Sequence, residues 1–158
     1  MEDLIAAADR ILENCKARGI MVATAESCTG GLVSAALTAI AGSSAVVERG
    51  FVTYSNQAKN EMLGVPMALI EAHGAVSEEV ARAMAEGALS HSRAHRAVAI
   101  TGVAGPGHSD SKPAGLVHFA LARQGAATLV RREIFDGDRT SVRHQAAQMA
   151  LELLGNDE

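Results

Sequence analysis

Leu4, Ile5, Ala8, Ile11, Leu12 and Cys15 recur at the spacing of one helix face, and Gly19 then stops the pattern. Ile20-Met21-Val22-Ala23 follows as an unbroken apolar run, the mark of a strand covered on both faces. Helical spacing returns with Leu32, Val33, Ala36, Leu37 and Ile40 and closes at Gly42. Residues 51–54 predict a second strand, and helical segments follow at about 57–63 and 66–73, the latter ended by Gly74. Ser77 with Glu78 and Glu79 starts another helix, since the hydroxyl caps a free amide and the acids suit the positive end of the dipole. That helix is expected to run to about Arg93. Ala97-Val98-Ala99-Ile100 reads as a buried strand, and residues 116–122 and 128–134 as a hairpin turning at Gln124-Gly125. Asp138 caps a last helix reaching Leu154.

This order of elements predicts an α/β fold: a three-layer α/β/α sandwich around a mixed, mostly parallel five-stranded sheet. The helical crossovers favour parallel pairing, while the late hairpin forces one antiparallel strand. No repeat, charge block or low-complexity linker interrupts the chain, so residues 1–158 are expected to form a single domain.

Composition narrows the function classes. The chain has 158 residues, 48% of them hydrophobic, and a net charge of −4, which argues against a protein that grips nucleic-acid phosphate. With 3% aromatics, no Trp and one Tyr, stacking platforms for bases are not expected either. No apolar run approaches the roughly 18 residues of a membrane span. The opening MEDLIAAADR is acidic where a signal peptide would be basic, so a cytoplasmic location is expected. Cys15 and Cys28 lack any zinc spacing, and His91 and His95 stand four apart without an HExxH motif, so no metal is expected.

Three polar clusters sit where strands end, and ligands of open α/β sheets bind beyond the carboxyl ends of strands. TAESCTGG puts Ser27, Cys28 and Thr29 at a helix N-terminus, whose free N–H groups favour negative charge, and Gly30 and Gly31 permit close approach. Glu26 is anomalous there; it orients a neighbour or binds a substrate hydroxyl. YSNQAK offers Tyr54, Asn56 and Lys59, and a desolvated lysine can serve as the base of a serine. TGVAGPG, with Thr101, Gly102, Ala104 and Gly105, lacks the ending of a Walker loop but can make a backbone nest for phosphate. Near the C-terminus Arg139 and Arg143 lie one helical turn apart, and Arg139 opposes the helix dipole, which makes an anion partner plausible. Lys112 is placed to project into the same cleft. Cys28 is a rival nucleophile, since a helix N-terminus lowers a thiol's pKa.

The stretches TAESCTGGLVSAALTAIAGSSA, ERGFVTYSNQAKNEMLGV, HGAVSEEVA, AITGVAGPG, KPAGLVHFA and FDGDRTSVRHQAA together resemble the CinA C-terminal domain family, also known as nicotinamide mononucleotide deamidases. In longer proteins such domains occur behind a molybdopterin-binding-like domain, whose pyrophosphatase activity is not implied here. The resemblance implies an amidohydrolase that converts nicotinamide mononucleotide and water to nicotinate mononucleotide and ammonia, recycling pyridine nucleotide toward NAD. It implies a Ser/Lys pair without metal or cofactor, and a small-molecule partner rather than nucleic acid or membrane. Lys59 matches the lysine; Ser27 and Ser44 both match serine positions. The topology favours Ser27, at the same strand ends as Lys59, because Ser44 follows a returning helix. Tyr54 then relays protons or holds the pair in register, backbone N–H groups of residues 28–30 stabilise the oxyanion, and Thr101, the 102–105 loop and Arg139 meet phosphate and ribose. A homodimer or larger homo-oligomer is expected of so small an Ala-rich domain. The competing readings are a non-catalytic nucleotide-binding or interaction module, tied to competence or DNA damage by the family's older name, and a cysteine hydrolase using Cys28.

Overall fold

The computed structural model describes residues 1–109 and 111–157. Its central strands are the apolar runs read above, extended by polar residues that find partners inside the protein. β1 (Val22–Glu26) is buried along its whole length, as is β3 (Arg96–Gly102) except at its last residue. β2 (Val47–Val52) pairs parallel with the outer side of β1, and β3 pairs parallel with its inner side. The hairpin strands β4 (Leu116–Arg123) and β5 (Ala126–Ile134) complete the order β2-β1-β3-β4-β5, both paired antiparallel. Four strands therefore run one way and β4 runs against them.

Helices cover both faces. α1 (Glu2–Arg18), α2 (Leu32–Thr38) and α6 (Arg139–Leu154) bury their apolar stripes against Val98, Ile100, Phe119 and Leu121. α3 (Asn56–Leu63), α4 (Met67–His73) and α5 (Glu78–Ser90) cover the opposite face, where the strands present Ala23, Ala25, Ala97, Ala99, Ala120 and Ala122. Small side chains let α5 lie close to the sheet. Gly87 takes this furthest: a Cβ there would stand 2.1 Å from the Leu63 carbonyl oxygen, so α3 and α5 touch backbone to backbone.

Three boundaries differ from expectation. β1 starts and ends later than the apolar run 20–23, because Thr24 and Glu26 are paired within the fold and remain in the strand. β2 starts at Val47 rather than 51: it is a half-exposed edge strand whose Glu48 and Arg49 mask the alternation. α5 ends at Ser90, short of Arg93. The early start of β2 places Ser44, exposed in the 3-10 turn Ser43–Ala45, at the amino ends of the parallel strands. No helix among the described residues is long and apolar enough to cross a membrane.

Candidate active site

Beyond the carboxyl ends of β1, β2 and β3 lies a cleft of about 280 Å³. β1 delivers Ser27, whose amide donates to the Ile100 carbonyl at 2.9 Å and so keeps it in line with the sheet. β2 leads through Thr53 and Tyr54 into α3, where Ser55 caps the helix by accepting from the Ala58 amide. Four residues on, Lys59 turns back under the loop. It is 1% exposed, and its Nζ donates to Ser27 Oγ at 3.1 Å, to the Thr53 carbonyl at 3.0 Å and to the Tyr54 carbonyl at 3.1 Å. Burial without a carboxylate partner lowers the Lys59 pKa to about 8.

That geometry favours proton transfer. A neutral amine keeps two N–H bonds, which the two carbonyls accept, and its lone pair is left for the Ser27 hydroxyl. The neighbouring thiol has the opposite character: burial pushes Cys28 up to about 12, so it holds its proton at neutral pH. This overturns the expectation that a helix end activates Cys28. Ser44 stands apart from Lys59, at the far end of the strands. A larger groove of about 540 Å³ lies at that far end between α1 and the α2–β2 connection; Lys16 and Ser43 both line it, but without the hydrogen bond that joins Lys59 to Ser27.

Ser27, Cys28, Tyr54, Asn56, Lys59, Thr101, Gly102, Ala104 and Arg139 all line the cleft. The ring of Tyr54 is exposed, and its hydroxyl accepts from Arg139 Nη2 at 3.1 Å; Arg139 Nη1 donates to the Gly105 carbonyl at 2.7 Å. Gly105 therefore acts by holding Arg139 rather than by lining the cleft. Thr101 Oγ1 donates to the Ala75 carbonyl at 2.9 Å, so this hydroxyl fastens the loop before α5.

Other expected contacts go elsewhere. Glu26 is fully buried and accepts from Thr29 Oγ1, the Val33 and Ser34 amides and Ser34 Oγ, at 2.6–3.0 Å. The amino end of α2, expected to receive a substrate anion, is filled by this side chain. Gly30 and Gly31 have φ of 58° and 104° and form the turn between β1 and α2; neither reaches the cleft. The Gly30 amide donates to the Ser27 carbonyl at 3.0 Å, which removes it from the expected oxyanion donors and leaves those of Cys28 and Thr29. Lys112 does not line the cleft; it donates to the His73 carbonyl at 2.8 Å and to the Val76 carbonyl. It ties the loop before α5 to the loop after β3.

Four further contributors escaped the sequence reading. Ala75, Val76 and Ser109 line the cleft, and the Thr53 carbonyl accepts from Lys59 Nζ. Ala75, Val76 and the Thr53 carbonyl act as surfaces or backbone groups, which leave no residue signature. Among the described residues no group of three or more His, Cys, Asp or Glu is gathered to hold a metal ion.

A family model described as the CinA C-terminal domain matches residues 5–157. The chain belongs to this family. It is 52% identical over 153 residues to the nicotinamide-nucleotide amidohydrolase PncC of Escherichia coli (strain K12), covering 96% of this chain and 93% of that one. It is also 52% identical to a CinA-like protein of Anaeromyxobacter dehalogenans, covering 92% of this chain but 36% of that longer protein. Among solved structures, the competence/damage inducible protein CihA from Agrobacterium tumefaciens superposes with a TM-score of 0.92 at 51% identity, covering 96% of this chain and 93% of that chain.

Proposed function

We propose that this protein is a nicotinamide-nucleotide amidohydrolase that hydrolyses the carboxamide of nicotinamide mononucleotide, with Ser27 as nucleophile and Lys59 as its base. One observation carries the assignment of roles: a buried lysine nitrogen stands 3.1 Å from a serine hydroxyl at the floor of a cleft. The 52% identity to an amidohydrolase over nearly its full length supports the reaction.

The neutral Lys59 amine takes the Ser27 proton as Oγ attacks the amide carbon. Negative charge on the carboxamide oxygen is met by the Cys28 and Thr29 N–H groups; one such donor is typically worth about 3–4 kcal/mol. The Lys59 ammonium then gives its proton to the departing nitrogen, which leaves as ammonia. Water, deprotonated by the same amine, attacks the ester carbonyl, releases nicotinate mononucleotide and restores the Ser27 hydroxyl. Arg139 supplies positive charge at the mouth for the nucleotide's phosphate, and Tyr54 holds that guanidinium in place. Asn56, Thr101, Gly102 and Ala104 are the remaining substrate contacts. The reading extends to a cytoplasmic protein of the pyridine nucleotide cycle, working as a homo-oligomer on a small molecule. The net charge of −4 supports the absence of nucleic acid from that list.

Chelator-treated protein incubated with nicotinamide mononucleotide should release ammonia and nicotinate mononucleotide in equal amounts. Ser27→Ala and Lys59→Ala should each lose at least about 1,000-fold in kcat, while Ser44→Ala retains turnover. A folded wild-type protein that releases no ammonia would refute the assignment.

A further inference from the structure

The turn that carries Ser27 into α2 is gripped from two sides. Glu26 holds it from within, through Thr29 and the first amides of α2. From α6, Arg143 reaches over the turn: Nε donates to the Cys28 carbonyl at 3.0 Å and Nη2 to the Thr29 carbonyl at 3.1 Å. A Cβ on Gly30 would stand 3.4 Å from the same Nη2, so the guanidinium rests against the turn. Arg139 and Arg143, one helical turn apart on α6, thus have separate tasks. Arg139 lines the cleft and Arg143 does not.

A trans peptide holds its C=O and N–H in opposite directions. Drawing the Cys28 and Thr29 carbonyls toward α6 therefore turns the next amides, those of Thr29 and Gly30, the other way. The Gly30 amide, turned in this way, donates to the Ser27 carbonyl at 3.0 Å. The Thr29 amide, anti to the Cys28 carbonyl that Arg143 holds, is turned away from α6. A cation on a carbonyl oxygen also polarises its peptide group and strengthens the N–H at the other end.

We infer that Arg143 is a positioning residue for the amide hydrolysis: it orients and polarises the Cys28–Thr29 peptide as an oxyanion donor and takes no part in binding the nucleotide's phosphate. The inference rests on the amidohydrolase reading. Its test is steady-state ammonia release from nicotinamide mononucleotide by the wild type, Arg143→Lys and Arg143→Gln, with thermal unfolding of each. Both variants should lose about 10- to 100-fold in kcat, part of the loss seen when an oxyanion donor is removed outright, with KM within about twofold of wild type. Lysine should not rescue, because a single ammonium does not hold two carbonyls in the plane of a guanidinium fork. The pH midpoint of kcat/KM should stay in place, since it is burial, and not Arg143, that lowers Lys59.

A KM that rises tenfold while kcat holds, with lysine restoring it, would make Arg143 a phosphate anchor and overturn the inference. Wild-type kcat in Arg143→Lys would overturn it as well. A parallel loss of kcat, KM and thermal stability in both variants would reduce Arg143 to a structural strut. Absence of turnover in the wild type is a different failure, that of the amidohydrolase reading itself.

Discussion

The pH dependence of kcat/KM tests the Ser27–Lys59 assignment directly, because the burial of Lys59 sets its scale. In water a lysine titrates near 10.5, and at pH 7 about 0.03% of it is neutral. Lowered to about 8 by desolvation, roughly 10% of Lys59 is neutral at pH 7, so the fold enriches the reactive base about 300-fold. The sign follows. The active form of the free enzyme is the deprotonated one, so kcat/KM should climb tenfold per pH unit below about 8 and level off above it. Ammonia release measured from pH 6.5 to 9.5 covers the rise and the plateau, and the substrate's phosphate, whose second ionisation lies near pH 6, is about three-quarters ionised at the lower limit and almost fully so from about pH 7.5 upward. Lys59→Arg provides the control: a guanidinium does not lose its proton, so the variant should be inactive throughout. A profile that is flat from 6.5 to 9, or that falls as pH rises, would refute a lysine base; a midpoint near 10 would show that burial fails to shift the amine.

Two other variants probe the surroundings of the pair. Cys28→Ala should keep turnover within about tenfold of wild type, because a thiol held up at about 12 offers no thiolate; loss of activity matching that of Ser27→Ala would return Cys28 to the chemistry. Glu26→Gln should destabilise the fold by about 2–4 kcal/mol in urea unfolding, since the new amide nitrogen faces donors where the carboxylate accepted four hydrogen bonds; an unchanged midpoint would show that the carboxylate does not anchor α2.

Much of the frame was legible because its signals are local. Gly19 stops α1 with φ of 65°, Ser77 caps α5 by accepting from the Val80 amide, and Asp138 caps α6 by accepting from the Ser141 amide, each within three or four residues of what it controls. The strands were placed less well: Thr24 stays inside β1 because Ser34, ten residues away on α2, pairs with it at 2.7 Å, and periodicity does not see a partner at that distance. Lys112 failed for the same reason, its ammonium being claimed by carbonyls 36 and 39 residues earlier.

Glu26 and Lys59 show what separates a buried charge that supports from one that reacts. Both are almost wholly excluded from solvent; Glu26 ends β1, and Lys59 lies on α3, the helix that follows β2. Glu26 meets four donors, none of which gives up its proton, so its carboxylate is saturated and inert. Lys59 meets three acceptors, of which two are carbonyls that bind its protons in either charge state. The third is a hydroxyl that can itself become the donor. Reversal of that one hydrogen bond would be the first proton transfer of the proposed reaction, and desolvation lowers the amine toward the range where it could occur near neutral pH. In the proposed mechanism the reactivity of Lys59 therefore resides in its third partner, Ser27, and removing that hydroxyl should abolish turnover while leaving the lysine buried and its two carbonyl contacts intact.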